Sequence, residues 1–293
     1  SYRRGGPDGV RPGGLKLATP AFSGDPQLAT TEADWLAAHF EACSLEYRAM
    51  LESAGIRQGD HVVDVGCGSG QFLGWIGDLA GARGRVTGID ISIDNLLRAR
   101  EQLATGRMRS GVIGADALML PLAAGSVDLV WCANTFEYLT ADEQAAYLRE
   151  MIRVLRPGGI AAVKDSEFTH KIFHPVPVQF WFDFLLHLSR EGGGAPFVGR
   201  ALPGAFKRAG LTPSVRTFLT ERTAPLSDAE CRWISMSGRA IAADAASWMA
   251  SERADEAAAF GRLFDEREAG CVLLRDDFYY CEGSIVVTAR TPE

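Results

Sequence analysis

The stretch that decides the fold reads VVDVGCGSG, residues 62 to 70. Its first half belongs to a short apolar strand predicted over 61–65, and its second half alternates glycine with small residues. Glycine lets the backbone turn sharply and approach a ligand that a Cβ atom would obstruct. The stretch therefore predicts a ligand-binding loop, with candidate contact residues Asp64, Gly66, Gly68 and Gly70.

The glycine spacing and the preceding carboxylate narrow the class of ligand. A dinucleotide fingerprint, G-x-G-x-x-G, needs a small third residue where the helix packs on the strand. Gln71 occupies that position here. Asp64 would also place negative charge where two phosphates need neutralising. The loop therefore favours a ligand with a cationic group over a nicotinamide dinucleotide.

Strand and helix signals alternate on the C-terminal side of this loop. The interval between strands shows helical periodicity, and Thr140 with Glu143 forms a capping box for the helix that runs to Leu155. This alternation predicts an α/β fold with a doubly wound, mostly parallel sheet, and its ligand is expected beyond the carboxyl ends of the strands. The predicted strands cover 61–65, 85–89, 112–115, 127–132 and 160–163.

The remaining segments are organised around this core. Gly, Pro and Arg dominate the first part of the chain, which predicts a tail or lid, and a helix is predicted over 32–54 with Gly55 as its stop. Two later segments interrupt the pattern and predict helical caps. The predicted division is an N-terminal tail or lid over 1–31, a core over 32–165, a first cap insertion over 166–198, a core continuation over 199–220, a second cap insertion over 221–275 and a final core strand over 276–293.

Composition excludes several partners. The formal net charge is -7 and no dense Lys/Arg run is present, which argues against a nucleic-acid partner. The apolar stretches fall short of the roughly 20 residues of a membrane span, so no membrane partner is predicted. No apolar segment follows Arg3 and Arg4 as in a secretion signal, and a cytoplasmic location is expected. Six scattered cysteines without a C-x-x-C pair predict reduced thiols; homo-oligomerisation stays open.

Five segments, in this order, resemble the class I S-adenosylmethionine-dependent methyltransferases of small-molecule type. They are VVDVGCGSG (62–70), VTGIDIS (86–92), GADALMLPL (114–122), VDLVWCANTFEYL (127–139) and VLRPGG (154–159). The resemblance implies a Rossmann-like, seven-stranded sheet with an antiparallel last strand, and S-adenosyl-L-methionine as the cofactor.

The resemblance also implies roles for individual residues. Asp64 and the glycine loop would face the methionine end of the cofactor. Further contacts would come from the carboxyl ends of the next strands. They are Asp90 on the two ribose hydroxyls with Ile91 beside it, Asp116 with the backbone at Ala117 on the adenine edge, and Asn134 along the cofactor.

The stretch DSEFTHKIFHP, residues 165 to 175, directly follows the fifth predicted strand and offers candidates for a proton acceptor. Glu167, His170 and His174 recur there at helical spacing. Imidazole titrates near neutrality, so His170 is the first candidate for a general base. The same spacing could bind a metal or merely hydrogen-bond at the surface. Because Pro175 follows and no further ligand is identifiable, no metal is predicted.

Aromatic residues are dense in both predicted caps, as in VQFWFDFLLHL at 178–188. Most are expected to pack in cap cores, but this much aromatic surface favours an apolar or aromatic small-molecule substrate. Glu137, close to the cofactor by position, is another candidate for the proton acceptor, although a carboxylate at a helix start explains it equally well. Tyr279 and Tyr280 are candidates to reach the pocket, with open roles. The predicted function is methyl transfer to an O, C or N atom of such a metabolite, in secondary metabolism by resemblance to cap-bearing enzymes.

Three other functions are weighed against this prediction. A nucleic-acid aminomethyltransferase would show an N/D-P-P-Y stretch after the fourth strand, where this chain has CANTFEY. A nicotinamide oxidoreductase is disfavoured by Asp64 and Gln71. A methyltransferase-fold protein that binds the cofactor but catalyses another step, such as a cyclisation, or regulates a partner, stays open because its loop would look the same.

Overall fold

A computed structural model describes residues 32–103, 109–191, 197–249 and 253–293, so the predicted tail at 1–31 lies outside the described residues. The strands are β1 His61–Val65, β2 Arg85–Asp90, β3 Arg109–Gly114, β4 Val127–Ala133, β5 Leu155–His174, β6 Ser214–Thr223 and β7 Tyr279–Arg290. The helices are α1 Glu32–Ala42, α2 Ser44–Glu52, α3 Leu73–Ala80, α4 Ile93–Leu103, α5 Ala141–Val154, α6 Val178–Glu191, α7 Val198–Arg208, α8 Asp228–Trp248 and α9 Ala254–Arg262, with short 3-10 helices at Phe136–Tyr138 and Val272–Leu274.

The seven strands form one sheet in the order β3-β2-β1-β4-β5-β7-β6. Strands β1 to β5 run parallel, and β7 lies antiparallel between β5 and β6. The strand order reverses between β1 and β4, so the crevice above these two strands is where a ligand binds in sheets of this kind. The predicted doubly wound sheet is confirmed.

Helices cover both faces because successive strand residues point to opposite sides of the sheet. Val62, Leu129 and Trp131 belong to one core cluster, which includes side chains of α1, α2, α3, α6, α8 and α9. Val63 and Val130 belong to the other, packed with α5 and α7. On the first face α2 lies at the carboxyl end of the sheet, where the centre of the Tyr47 ring is 4.8 Å from Lys164 Nζ of β5, and α1 packs beside it.

Two predicted elements have different boundaries in the structure. The helix predicted over 32–54 is two helices that break at Cys43, and Gly55 follows them with a φ of 84°. The fifth strand extends eleven residues beyond Val163, to His174, because this stretch pairs with β7 in the register Ile172↔Cys281, Phe173↔Tyr280 and His174↔Tyr279.

The segments predicted as caps contain α6, α8 and α9, although the first of them begins as strand. The aromatic residues expected to pack in the caps include Trp233 of α8, which is fully buried. Its ring centroid lies 5.0 Å from that of Tyr280. The extent of the two insertions as separate units stays a prediction. None of the described helices combines the length and apolar character that a membrane crossing requires.

Candidate active site

The glycine loop after β1 has the backbone that its sequence predicts. Gly66, Gly68 and Gly70 have φ values of 77°, 53° and 89°, a region that favours glycine. A Cβ atom on Gly66 would lie 2.3 Å from Thr135 Oγ1, so this glycine is required by packing alone. At Gly68 the nearest atom to such a Cβ, Oε1 of Gln71, is 3.8 Å away. The loop is therefore close-packed at its start and open at Gly68.

Asp90, the last residue of β2, braces this loop. Its Oδ2 accepts a hydrogen bond from Gly68 N at 2.8 Å, and its Oδ1 accepts one from Ser92 N at 2.8 Å. Each carboxylate oxygen can accept a further hydrogen bond. Asp90 can therefore hold the loop and still accept from the two hydroxyls of a ribose.

Asp64 fits a cationic ligand group. The residue is 1% exposed, and its Oδ2 is buried without a hydrogen-bond partner. Burial raises the pKa of the carboxyl to about 8, with a smaller contribution from the charge of Asp90. An orphaned buried acceptor is costly, and a donor cation such as an α-ammonium group would satisfy it. The residues present thus suit the methionine end of S-adenosylmethionine.

The remaining predicted cofactor residues lie along the same edge of the sheet. Ala115 N donates to Asp90 O at 3.1 Å, which joins the ends of β2 and β3. Asp116 Oδ1 accepts from Leu118 N at 2.9 Å and fixes the turn that carries Ala117. Ile91 is 58% exposed beside Asp90, an apolar surface suited to a flat base. Their contacts with a cofactor stay a prediction.

Asn134 follows β4 with a φ of 52°, the one positive φ among the non-glycine residues in the described ranges. This left-handed conformation is tolerated by Asn better than by most residues. Asn134 N donates to Lys164 O at 3.0 Å, and its Oδ1 accepts from Lys164 Nζ at 2.6 Å. The predicted cofactor residue thus joins the ends of β4 and β5.

The helical spacing assumed for the catalytic candidates is wrong, because Glu167, His170 and His174 lie on β5. The structure does not bring them together. Glu167, 2% exposed, pairs with Arg200 through Oε1 at 2.6 Å. Burial alone would raise the pKa of Glu167, but hydrogen bonds from Arg200 and Thr169 hold that pKa below its usual value.

The two histidines lie away from that ion pair. His170 is exposed, and its side chain approaches Gly283, where an added Cβ would lie 2.5 Å from His170 Cβ. The His174 side chain is 60% exposed, with Nε2 4.0 Å from Asp277 Oδ2. Neither position is enclosed, and the general-base role of His170 stays a prediction.

A buried polar cluster beneath α1 and α2 was not foreseen. His39 Nε2 lies 3.2 Å from Glu282 Oε1 and 3.1 Å from the Tyr47 hydroxyl oxygen. Lys171 Nζ lies 3.1 Å from Glu282 Oε2, which also accepts from the Tyr280 hydroxyl at 2.7 Å. Because ionised Glu282 only accepts, the imidazole proton belongs on Nε2. Hydroxyl, imidazole and carboxylate thus join α1, α2 and β7.

The same cluster brings together three side chains of metal-ligating type, since the ligand atoms of His39, Cys43 and Glu282 lie within 4.8 Å of one another. Burial lowers the pKa of His39 and raises that of the Cys43 thiol. Burial alone would raise the pKa of Glu282, but Lys171 and His39 hold it well below its usual range. The Glu282 carboxylate is therefore ionised and paired with Lys171, and the Cys43 thiol is neutral. The ion pair and the hydrogen bonds account for the cluster.

Comparison with known proteins assigns the domain. Residues 62–159 match the family described as Methyltransferase domain. Over 188 residues the chain is 30% identical to methyltransferase GfsG of Streptomyces halstedii, covering 61% of this chain and 63% of that protein. It is 30% identical over 152 residues to demethylmenaquinone methyltransferase of Staphylococcus aureus, covering 50% of this chain and 60% of that protein. The chain thus spans less than two thirds of the length of these relatives.

Solved structures show the same fold at low sequence identity. The YcgJ protein of Bacillus subtilis superposes with a TM-score of 0.54 at 16% identity, over 87% of this chain and 100% of that one. A SAM-dependent methyltransferase of Aquifex aeolicus gives a TM-score of 0.51 at 18% identity, over 87% and 98%.

The fold, the glycine loop and the family match over residues 62–159 define a methyltransferase domain in this part of the chain. The resemblance to class I methyltransferases is therefore confirmed, and S-adenosylmethionine is the cofactor of that class.

Proposed function

We propose that the protein transfers the methyl group of S-adenosylmethionine to an oxygen, carbon or nitrogen atom of a small, apolar or aromatic metabolite. The observation that carries this proposal is the buried, unpartnered Oδ2 of Asp64 beside a glycine loop at the switch point of the sheet. A cationic cofactor satisfies that oxygen, whereas a pyrophosphate would add charge of the same sign. Secondary metabolism and a cytoplasmic location stay predictions.

S-adenosylmethionine, when bound, supplies a methyl group that its sulfonium already activates. The protein must therefore position the two reactants, exclude water and accept a proton. Asp90 fixes the loop through Gly68, and Asn134 closes the edge between β4 and β5. Helices α1 and α2 cover this edge, and Tyr47 and Met50 of α2 are buried in the core against the sheet. We infer that these helices enclose the place of transfer.

The substrate class rests on side chains around this edge. Phe72 follows the glycine loop, and its ring lies 5.6 Å from the rings of Tyr47 and Trp131. Phe40 of α1 adds a ring 5.5 Å from Phe72. Aromatic walls with a few polar groups suit small organic ligands better than polymers. The absence of a nucleic-acid partner and the oligomeric state stay predictions.

The test is transfer of a deuterated methyl group. The purified protein is incubated with methyl-deuterated S-adenosylmethionine and a panel of phenols, amines and active-methylene compounds, and products are read by mass spectrometry. We expect label in at least one acceptor and none with Asp90→Ala. Cofactor that binds but stays intact while a compound isomerises would instead support the cyclisation alternative. Failure to bind the cofactor would overturn the proposal.

A further inference from the structure

Lys164 is an unusual residue to find without exposed surface. It lies on β5 opposite Ala133 of β4, and its residue exposure is 0%. Its Nζ donates to Asn134 and lies 4.8 Å from the centre of the Tyr47 ring. An ammonium group has three donors. In the described part of the chain no carboxylate lies within ion-pair distance of Nζ, so a buried cation without an ion-pair partner stands beside the cofactor edge.

Burial lowers the pKa of Lys164, while nearby carboxyl groups oppose this effect. A buried ammonium without an ion pair is costly, and an anionic oxygen brought by a ligand would offset that cost. The groups acting on Lys164 electrostatically are Asp165, Glu282, Glu137 and Cys43.

Glu137 supplies a carboxyl group at the same edge. It lies in the 3-10 helix Phe136–Tyr138, three residues after Asn134, and is half-buried, so part of its surface is open to a ligand. Burial, and then the charge of Asp165, raises the pKa of Glu137. The groups acting on this carboxyl are Asp165, Lys164, Lys171 and Tyr138. A raised pKa makes the carboxylate a better proton acceptor near neutral pH.

An acidic hydroxyl matches these two groups. A phenol ionises near pH 10, and an adjacent cation lowers such a pKa by about 1 to 3 units. The proton then passes readily to a carboxylate whose own pKa is raised. An alkyl alcohol is far less acidic and would gain little from this arrangement. The Tyr47 ring beside Lys164, which itself packs on the Phe72 ring, also favours an aromatic acceptor.

We propose that the methyl acceptor is a phenol or enol whose oxygen binds Lys164 as the anion and gives its proton to Glu137. This inference rests on the proposed methyl transfer and names its nucleophile. Because the Tyr47 ring of α2 covers Lys164, α2 must move for the ring of the acceptor to reach the Lys164 ammonium group.

The proposed step balances in atoms and charge. The acceptor O–H bond breaks and its proton goes to the Glu137 carboxylate, while the Lys164 ammonium holds the oxyanion. A lone pair of that oxygen forms the new C–O bond, and the electron pair of the broken S–CH3 bond stays on sulfur. The products are a neutral methyl ether and a neutral thioether, and Glu137 later releases its proton to water.

The probe for this step is 4-nitrophenol, whose anion is coloured, added to the protein saturated with S-adenosylhomocysteine. We expect wild-type protein to bind the anion and to raise the ratio of anion to neutral probe about 10-fold or more over free probe at the same pH. Lys164→Met should lose this shift and Lys164→Arg should keep part of it. The methyl ether 4-nitroanisole, which cannot ionise, should bind wild type and Lys164→Met alike.

Turnover with S-adenosylmethionine separates the two roles. Glu137→Gln should lower conversion of unsubstituted phenol, which is protonated near neutral pH, to anisole by about 10² to 10⁴. Conversion of 4-nitrophenol, which is already partly ionised there, should fall far less. The rate with phenol should recover as the pH rises toward the phenol's own pKa of about 10, because the proton is then already gone. Lys207→Met and Glu101→Gln, exposed residues of α7 and α4, serve as controls. Binding of S-adenosylhomocysteine by each variant shows that the variant is folded, and the two control variants should keep the wild-type affinity.

Either of two results would overturn the inference. One is that the wild type binds no 4-nitrophenol anion, or that the Lys164→Met variant binds the anion as well as the wild type does. The other is methyl transfer to amines or carbon acceptors without transfer to phenols, in which case the proposed function stands and this inference fails. A wild-type protein that does not bind S-adenosylhomocysteine would instead overturn the proposed function.

Discussion

Cofactor binding should depend on pH through Asp64. Its carboxyl pKa is about 8 because burial disfavours the anion, so the free protein holds it neutral at pH 6. A cationic α-ammonium group needs the ionised form. That form makes up about 1% of the protein at pH 6 and half of it at pH 8, so affinity should rise about 50-fold, or about 2.3 kcal/mol, over this interval.

The assay is calorimetric titration with S-adenosylhomocysteine, which carries the same amino acid end without a transferable methyl group. Repeating the titration in buffers of different ionisation enthalpy should reveal about one proton released per ligand at pH 6. Asp64→Asn keeps the shape but cannot ionise, so its affinity should be weak and nearly flat across this range. Asp78→Asn, an exposed change on α3, should keep the wild-type slope.

A flat affinity for the wild type between pH 6 and pH 8 would refute this reasoning. So would a pH slope that persists unchanged in Asp64→Asn, since the proton would then come from another group.

Other variants test the site and its surroundings. Asp90→Ala should abolish measurable S-adenosylhomocysteine binding in calorimetry, because both the loop brace and the ribose acceptor are lost; wild-type affinity would contradict the assignment. Arg200→Ala should lower the free energy of unfolding by about 2 kcal/mol in urea at pH 7, because it strands buried Glu167. Since the folded-state pKa of Glu167 is lowered, that loss should fade as the pH falls through it. His170→Ala should turn over unsubstituted phenol near the wild-type rate; a fall of about 10² or more would restore His170 as the base.

The parts of the fold that local signals encode were predictable. Glycine spacing, short apolar strands and the Thr140–Glu143 capping box are read from neighbouring residues, and the structure contains each of them. The parallel orientation of the first five strands follows from the alternation of strand and helix. Asp64 and Asp90 are candidates from the sequence because they lie at the carboxyl ends of β1 and β2 next to the glycine loop, and their roles stay predictions.

The parts that depend on distant pairing were not predictable. Glu167, His170 and His174 match a helical spacing, yet pairing with β7 more than a hundred residues later makes the segment strand. His39 and Glu282 are 243 residues apart, so their contact leaves no local signal. Lys164 resembles an ordinary strand-end lysine until burial and Asn134 are known. A lysine directly after a predicted central strand is the sequence signal that could have been followed.

The most direct test of the central claim is a thermal shift with S-adenosylhomocysteine, S-adenosylmethionine and NAD in parallel. A ligand at 100 times its Kd adds about 2.7 kcal/mol to the folded state. We predict that both adenosyl ligands raise the melting temperature of the wild type and that NAD does not. Stabilisation by NAD alone would contradict the account of Asp64 and its loop.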